Sequence, residues 1–287
     1  MFRFSQLEVP WELGPPDGRY LIRPDGAGRD ASPSHVLVLT TLGAEKRSRV
    51  GRLRRQNKAL PEPEPSPVAT SRATIVDVGD PLASPEEAAA WLSGAGETEL
   101  AAGVAVLNRA VHSYRLASAD PHVHGIGRRD ALVARLGYGA GEEVADGLWT
   151  DARELIDAGS RRRRSRRMPA AQARLAALLT GRHSPLATEE LALRARLDLD
   201  EGRAREASLQ VLVALDAAVA ELAEGPAAPA LVDRLEELRS LRPGIAEAAR
   251  AALGANGSPG TAERGAVAFA LGRIEAALRA RAAALPG

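Results

Sequence analysis

Metal chemistry in this chain would have to come from its five histidines and its carboxylates, because it has no cysteine. His122 and His124 flank Val123, with Asp120, Asp130 and the upstream His112 nearby. On an extended segment an H-x-H pair sends both imidazoles to one side, which suits a metal. Spacing fixes no third ligand and no His-Glu-x-x-His is present, so the competing reading is a solvated loop bearing two histidines, and no metal or cofactor is assigned. A Walker-type phosphate loop needs Lys followed by Ser or Thr, whereas Lys46 and Lys58 precede Arg47 and Ala59. Gly137-Tyr138-Gly139-Ala140-Gly141 follows an expected strand, the setting in which backbone N–H groups cradle phosphate, but Glu142 and Glu143 come next and would repel it. A tight glycine turn with an acidic first helical turn is the better reading. Asp198-Leu199-Asp200-Glu201-Gly202 resembles a calcium loop only superficially, since its fifth position is glycine, and these acids read as solvent-facing at a helix end. No G-x-S-x-G elbow surrounds any serine, so no catalytic residue is nominated.

Arginine gives the strongest charge signal. Arg161, Arg162, Arg163, Arg164, Arg166 and Arg167 crowd into seven positions, and a second run from Lys46 to Lys58, which includes Arg52, Arg54 and Arg55, contains no acid. With six basic residues in the first run and seven in the second, the two carry +13, so the formal total of +1 leaves −12 on the rest of the chain. Guanidinium groups this dense need anions, whether phosphates, acidic protein surface or counterions. Arginine outnumbers lysine 36 to 2 throughout, so its use in the runs carries little information, and no aromatic interleaves them to stack on single strands. These arginines are the candidate anion-binding residues. Their readings are an acidic protein partner, nonspecific nucleic-acid contact, or a solvated loop.

A chain of 287 residues suffices for one large domain or two ordinary ones with self-sufficient cores. The 57 alanines and scarce lysine look like GC-rich bacterial coding. The opening MFRFSQLEVPW lacks the apolar run of a secretory signal, and no apolar stretch approaches the ~18 residues that span a bilayer, so a soluble cytoplasmic protein without a membrane partner is expected. Eight of the nine aromatic residues lie in the first 149 positions, leaving Phe269 alone afterwards. The composition therefore predicts residues 1–158 as an α+β domain with a disordered basic and Pro-rich loop at 44–71, an Arg-rich linker at 159–169, and an all-α domain at 170–287.

Within the first domain, segments 2–9, 19–23, 35–42 and 72–78 read as strands of a small, mostly antiparallel sheet, joined by a fifth at 132–138. Ser84-Pro85-Glu86-Glu87 starts a short helix, and Leu100, Val104, Leu107, Val111 and Tyr114 mark one face of a longer helix over 97–119. Segment 139–149 fits either a helix or a hairpin arm, and 150–156 reads as a helical turn or two. The second domain reads as helices over 170–180, 185–200, 203–223, 229–241, 245–253 and 261–285, giving helical hairpins or a bundle.

Glu190 to Ala218, with Leu191 and Ala195 before Gly202 and Ala207, Val211 and Ala214 after it, resembles one tetratricopeptide-type helical hairpin. Arg194 and Asp198 depart from that pattern. A second hairpin at 231–253 would repeat it, with Gly244, Glu247 and Ala248 in place of Gly202, Glu206 and Ala207. The resemblance implies a concave peptide-binding surface; the other reading is an ordinary bundle with generic Ala-Leu periodicity. The functional expectation is a non-catalytic interaction or scaffold protein, its helical domain presenting a binding face and its Arg-rich segments contacting an anionic partner. The alternatives are a nonspecific RNA- or DNA-binding protein and, third, an enzyme using the His122/His124 region or the Gly137–Gly141 segment.

Overall fold

Period-two alternation builds the N-terminal part. In the computed structural model, which describes residues 1–24, 30–43, 69–155, 172–224, 227–254, 257 and 259–284, the chain divides into two compact units, Met1–Ala158 and Gly159–Gly287. The first contains strands β1 (Phe2–Val9), β2 (Gly18–Ile22), β3 (His35–Leu42), β4 (Thr70–Asp77), β5 (Val133–Gly139) and β6 (Asp151–Glu154). They form one sheet in the order β2-β3-β4-β1-β5-β6, antiparallel at every pairing. The fold is α+β, with the sheet wholly antiparallel.

One sheet face, carrying Leu7, Leu37, Ile75 and Leu136, packs against helices α1 (Pro85–Gly94) and α2 (Glu97–Ser118) through Leu92, Leu100, Leu107 and Val111. Ser84 caps α1 by accepting the Glu87 N–H at 3.2 Å, as the sequence indicates. Gly103 on α2 lets the helix approach β1 closely: a Cβ there would lie 2.9 Å from the Ser5 Cβ and collide with its hydroxyl. Asn108, buried on the same helix, ties down the following loop by donating to the Ile126 carbonyl at 2.9 Å and accepting the Ile126 N–H at 2.8 Å.

The opposite face has an apolar end and a polar end. Phe4, Val36, Val38 and Val76 cluster with Val144, Ala145 and Trp149. Beside them Glu8 accepts from Arg72 Nε and Nη2 at 3.0 and 2.9 Å, Arg135 donates to Gln6 at 2.8 Å, and Gln6 donates to Thr74 at 3.0 Å. Arg135 also lies 5.7 Å from the Trp149 ring centroid, within cation–π range. The network joins β4, β1 and β5 and gives the buried Gln6 and Thr74 their partners.

Several expectations are corrected. Segment 151–154 is strand β6, not helix; its polar sequence has weak strand propensity, and the register Arg135↔Glu154 to Tyr138↔Asp151 against β5 determines its state. Gly137 and Gly139 do not form a turn. They lie in β5, where a Cβ on Gly137 would meet the Phe4 ring and one on Gly139 the Val144 side chain. The acids after them open a 3-10 turn, Glu142–Asp146, and Glu142 pairs with Arg19 at 2.8 Å.

The second unit is helical. Residues 172–179 form α3, followed by α4 (Ala187–Asp200), α5 (Ala204–Glu221), α6 (Val232–Ala252) and α7 (Thr261–Ala284). The α4–α5 hairpin turns at Gly202, whose φ of +75° favours glycine. The second hairpin does not exist: α6 runs unbroken through Pro243 and Gly244. Leu235 and Leu238 before the proline and Ile245 and Ala248 after it bury into one core, and that shared burial outweighs the ~3 kcal/mol penalty of an interior proline.

Two stability outcomes follow from this packing. All three tryptophans lie in the N-terminal unit, so urea unfolding followed by their fluorescence reads that unit alone. Gly103→Ala lowers its stability by about 1–3 kcal/mol through the Ser5 collision, despite alanine's better helix propensity; a variant as stable as wild type contradicts the close approach. In the helical unit, Pro243→Ala raises the far-UV melting midpoint, with a gain of about 1–2 kcal/mol because proline also restrains the unfolded chain. Unchanged or lowered melting contradicts a continuous α6.

Candidate functional site

Charged side chains assemble the helical unit around a groove. Asp198, which the sequence places at a solvent-facing helix end, is instead 6% exposed. Its carboxylate accepts from Arg203 Nε at 2.7 Å and from Gln210 at 2.8 Å, fastening α4 to α5. Arg203 also pairs with Glu201, so two of the acids that resemble a calcium loop are engaged by an arginine. At the other end of the hairpin, Glu221 of α5 accepts the Ala187 and Thr188 N–H groups, each at 3.0 Å, and the Thr188 hydroxyl at 2.7 Å. A carboxylate thereby satisfies the open N–H groups of the α4 N-terminus and meets the positive end of its dipole.

Glu189, one turn into α4, does two jobs. It accepts the Leu186 N–H at 2.9 Å, and its two oxygens receive Arg174 Nη2 from α3 at 2.8 and 3.1 Å. Arg174 Nη1 lies 3.1 Å from His183 Nδ1; since a guanidinium only donates, His183 accepts there and its Nε2 carries the ring proton. Arg196 of α4 donates to Glu275 of α7 at 2.9 Å, a bond that raises the already high pKa of the guanidinium. Helix α4 is thus bonded to α3 on one side and to α7 on another.

A groove of about 1050 Å³ opens among α3, α4 and α7. Its apolar surface comes from Ala173, Ala176 and Ala177 of α3, Ala192 and Leu193 of α4, and Leu278 and Ala282 of α7. Alanine is too short to bridge the space, so the walls stay apart. Arg174, Arg182, Arg279, His183, Glu189 and Glu275 supply the polar lining. Glu189 and Glu275 are already bonded to arginines, whereas among the described residues Arg182 and Arg279 have no carboxylate partner. Leu193 is 68% exposed, and Leu197, Leu175 and Leu179 on the same two helices are also exposed. A concave apolar surface with a few fixed polar groups and a cationic balance has the makings of a binding site.

The candidates singled out from sequence do not assemble there. Arg52, Arg54 and Arg55, and Arg161, Arg162, Arg163, Arg164, Arg166 and Arg167, lie outside the described residues, as does most of the 44–71 loop and the 159–169 linker. His122 and His124 sit on the exposed loop after α2; the His122 N–H donates to Asp120 at 2.9 Å, and His124 Nδ1 donates to the His122 carbonyl at 2.7 Å. Among the described residues no group of three or more potential ligands could hold a metal ion. The groove itself escapes sequence reasoning, although α4 carries a readable sign of it: Ala195 faces the core while Leu193, on another face, is exposed and lines the groove. Large apolar residues on a second face point to a second contact surface.

The α4 anchor has a pH signature. Burial alone would raise the Glu221 carboxyl, but the bonds from Thr188 and Ala187, with the charge of Arg281, hold it below the ordinary value of 4.5. Its contribution to stability is therefore present above pH 4.5 and is lost as pH falls through the lowered folded value. Glu221→Gln lowers the far-UV melting midpoint at neutral pH, and its difference from wild type shrinks on acidification; a difference that stays constant down to pH 3 contradicts this anchor. Comparison of the chain with family models, with curated proteins and with solved structures finds no match, so a functional reading rests on this geometry.

Proposed function

We propose that this is a non-catalytic interaction protein whose helical unit takes a segment of a partner protein into the α3/α4/α7 groove, while its Arg-rich segments contact an anionic partner. The groove carries the reading: an alanine- and leucine-lined concavity with two arginines that lack carboxylate partners among the described residues. Partner helices lodge in such grooves by burying apolar anchors, and cations at the rim speed and orient the encounter. The composition supports the anionic contact, since thirteen basic residues lie in two short runs on an otherwise acidic chain. A nonspecific nucleic-acid-binding role for those runs is the second reading, and it makes a different prediction about salt.

Recovery of the tagged full chain from its native host across a salt series separates the two. Ala176→Trp fills the groove from an exposed position on α3. The interaction reading predicts a retained protein that survives a rise from about 50 to about 200 mM salt and is lost with Ala176→Trp. A retained nucleic acid that weakens by about 10³-fold or more over that range, and ignores Ala176→Trp, overturns it in favour of the second reading.

A further inference from the structure

Three features of the groove narrow the chemistry of its occupant. Its walls are three helices and the turn between α3 and α4, so among the described residues it offers no strand edge for an extended peptide to extend. Its volume of about 1050 Å³ accommodates a short helical stretch: at a diameter of 10–12 Å and a rise of 1.5 Å per residue, about six to nine residues, or roughly two turns, fill it. Alanine walls let a helix backbone come near the close end of the usual 8–10 Å interaxial range, which favours small residues on the entering face.

Charge supplies the rest. Every carboxylate in the lining is already bonded, Glu189 to Arg174 and Glu275 to Arg196. Among the described residues Arg182 donates only to the Thr180 hydroxyl, at 3.3 Å, and Arg279 has no carboxylate partner. His183 turns its protonated Nε2 away from the Arg174 bond and adds a donor. A basic helix would meet repulsion, and a neutral one would cover guanidinium groups without pairing them, at a desolvation cost. We infer that the groove receives an amphipathic α-helix of a partner protein, with small apolar residues on its inner face and acidic residues placed to pair with Arg182 and Arg279.

The inference rests on the groove being a binding surface, and the experiment distinguishes failure of that reading from failure of the occupant's chemistry. The probes are peptides selected from a displayed library of helix-forming sequences against the immobilised full chain, with dodecanoate as a small amphiphilic anion. Binding to wild type is compared with Ala176→Trp, Arg182→Glu, Arg279→Glu, Arg279→Lys and, as a control outside the groove, Arg250→Glu; far-UV melting verifies that each variant is folded. The expected result is a set of peptides with Ala or Gly at i, i+4 spacing flanked by Asp or Glu. Ala176→Trp abolishes their binding, each charge reversal weakens it about tenfold or more, and Arg279→Lys and Arg250→Glu leave it within about threefold. Groove-dependent peptides that lack acids and ignore both charge reversals overturn the acidic occupant while the groove reading stands. Groove-dependent binding of dodecanoate with no selected helix overturns it in favour of a small amphiphile, and a concentration-dependent dimer abolished by Ala176→Trp does so in favour of a second copy of the chain. Selected peptides indifferent to Ala176→Trp, or no binder of either kind and no dimer, overturn the groove reading itself.

Discussion

The permanent charge of the guanidinium group is the constraint on which the structure depends. Thirty-six arginines remain charged at any ordinary pH, and each one placed against the protein needs an anion or a carbonyl. In the sheet, Arg72 and Arg135 meet at Glu8 and join three strands. In the helical unit, Arg203 closes the α4–α5 hairpin on Asp198, Arg242 of α6 reaches Asp216 of α5, Arg273 of α7 reaches Glu237 of α6, and Arg174 and Arg196 fix α3 and α7 to α4. Where the pairing is complete it positions helices. At the groove it is incomplete, and the excess positive charge remains beside apolar surface.

Alanine has the complementary role. Its small side chain allows α4, α5 and α7 to bury Ala195, Ala207, Ala214, Ala218, Ala270 and Ala277 completely in their shared core. The same smallness leaves the space among α3, α4 and α7 unfilled, because the alanines facing it are too short to span it. One composition bias therefore accounts for a dense core and for the concavity beside it. Held at both ends, by Glu221 and by Asp198, α4 is a fixed wall on which a partner segment could dock with little reorganisation of this chain.

Sequence alone revealed most of the elements and little of the site. Strands β1 to β5 and both helices of the first unit follow from period-two and period-3.6 patterns together with the Ser84 cap, all of them local signals. The misses were tertiary. Strand β6 exists because β5 offers it an edge, Gly137 and Gly139 serve packing against Phe4 and Val144, and α6 crosses Pro243 because both its halves face one core. The groove was illegible for the same reason: Arg174, Glu189, Ala192 and Glu275 come from three helices whose adjacency no spacing rule encodes. The outward Leu193 was the one local trace of it.

The central claim is that the α3/α4/α7 groove receives an acidic amphipathic helix from a partner protein. Photocrosslinking in the native host tests it most directly, with a photoreactive residue in place of Leu193 in the groove or, as a control, in place of Val213, which is exposed on α5. Sequencing of the crosslinked peptide is predicted to identify, from position 193 and not from position 213, a helix-forming segment with acids flanking small apolar residues. Crosslinks of equal yield from both positions, or a captured segment that is basic or extended, would contradict the account.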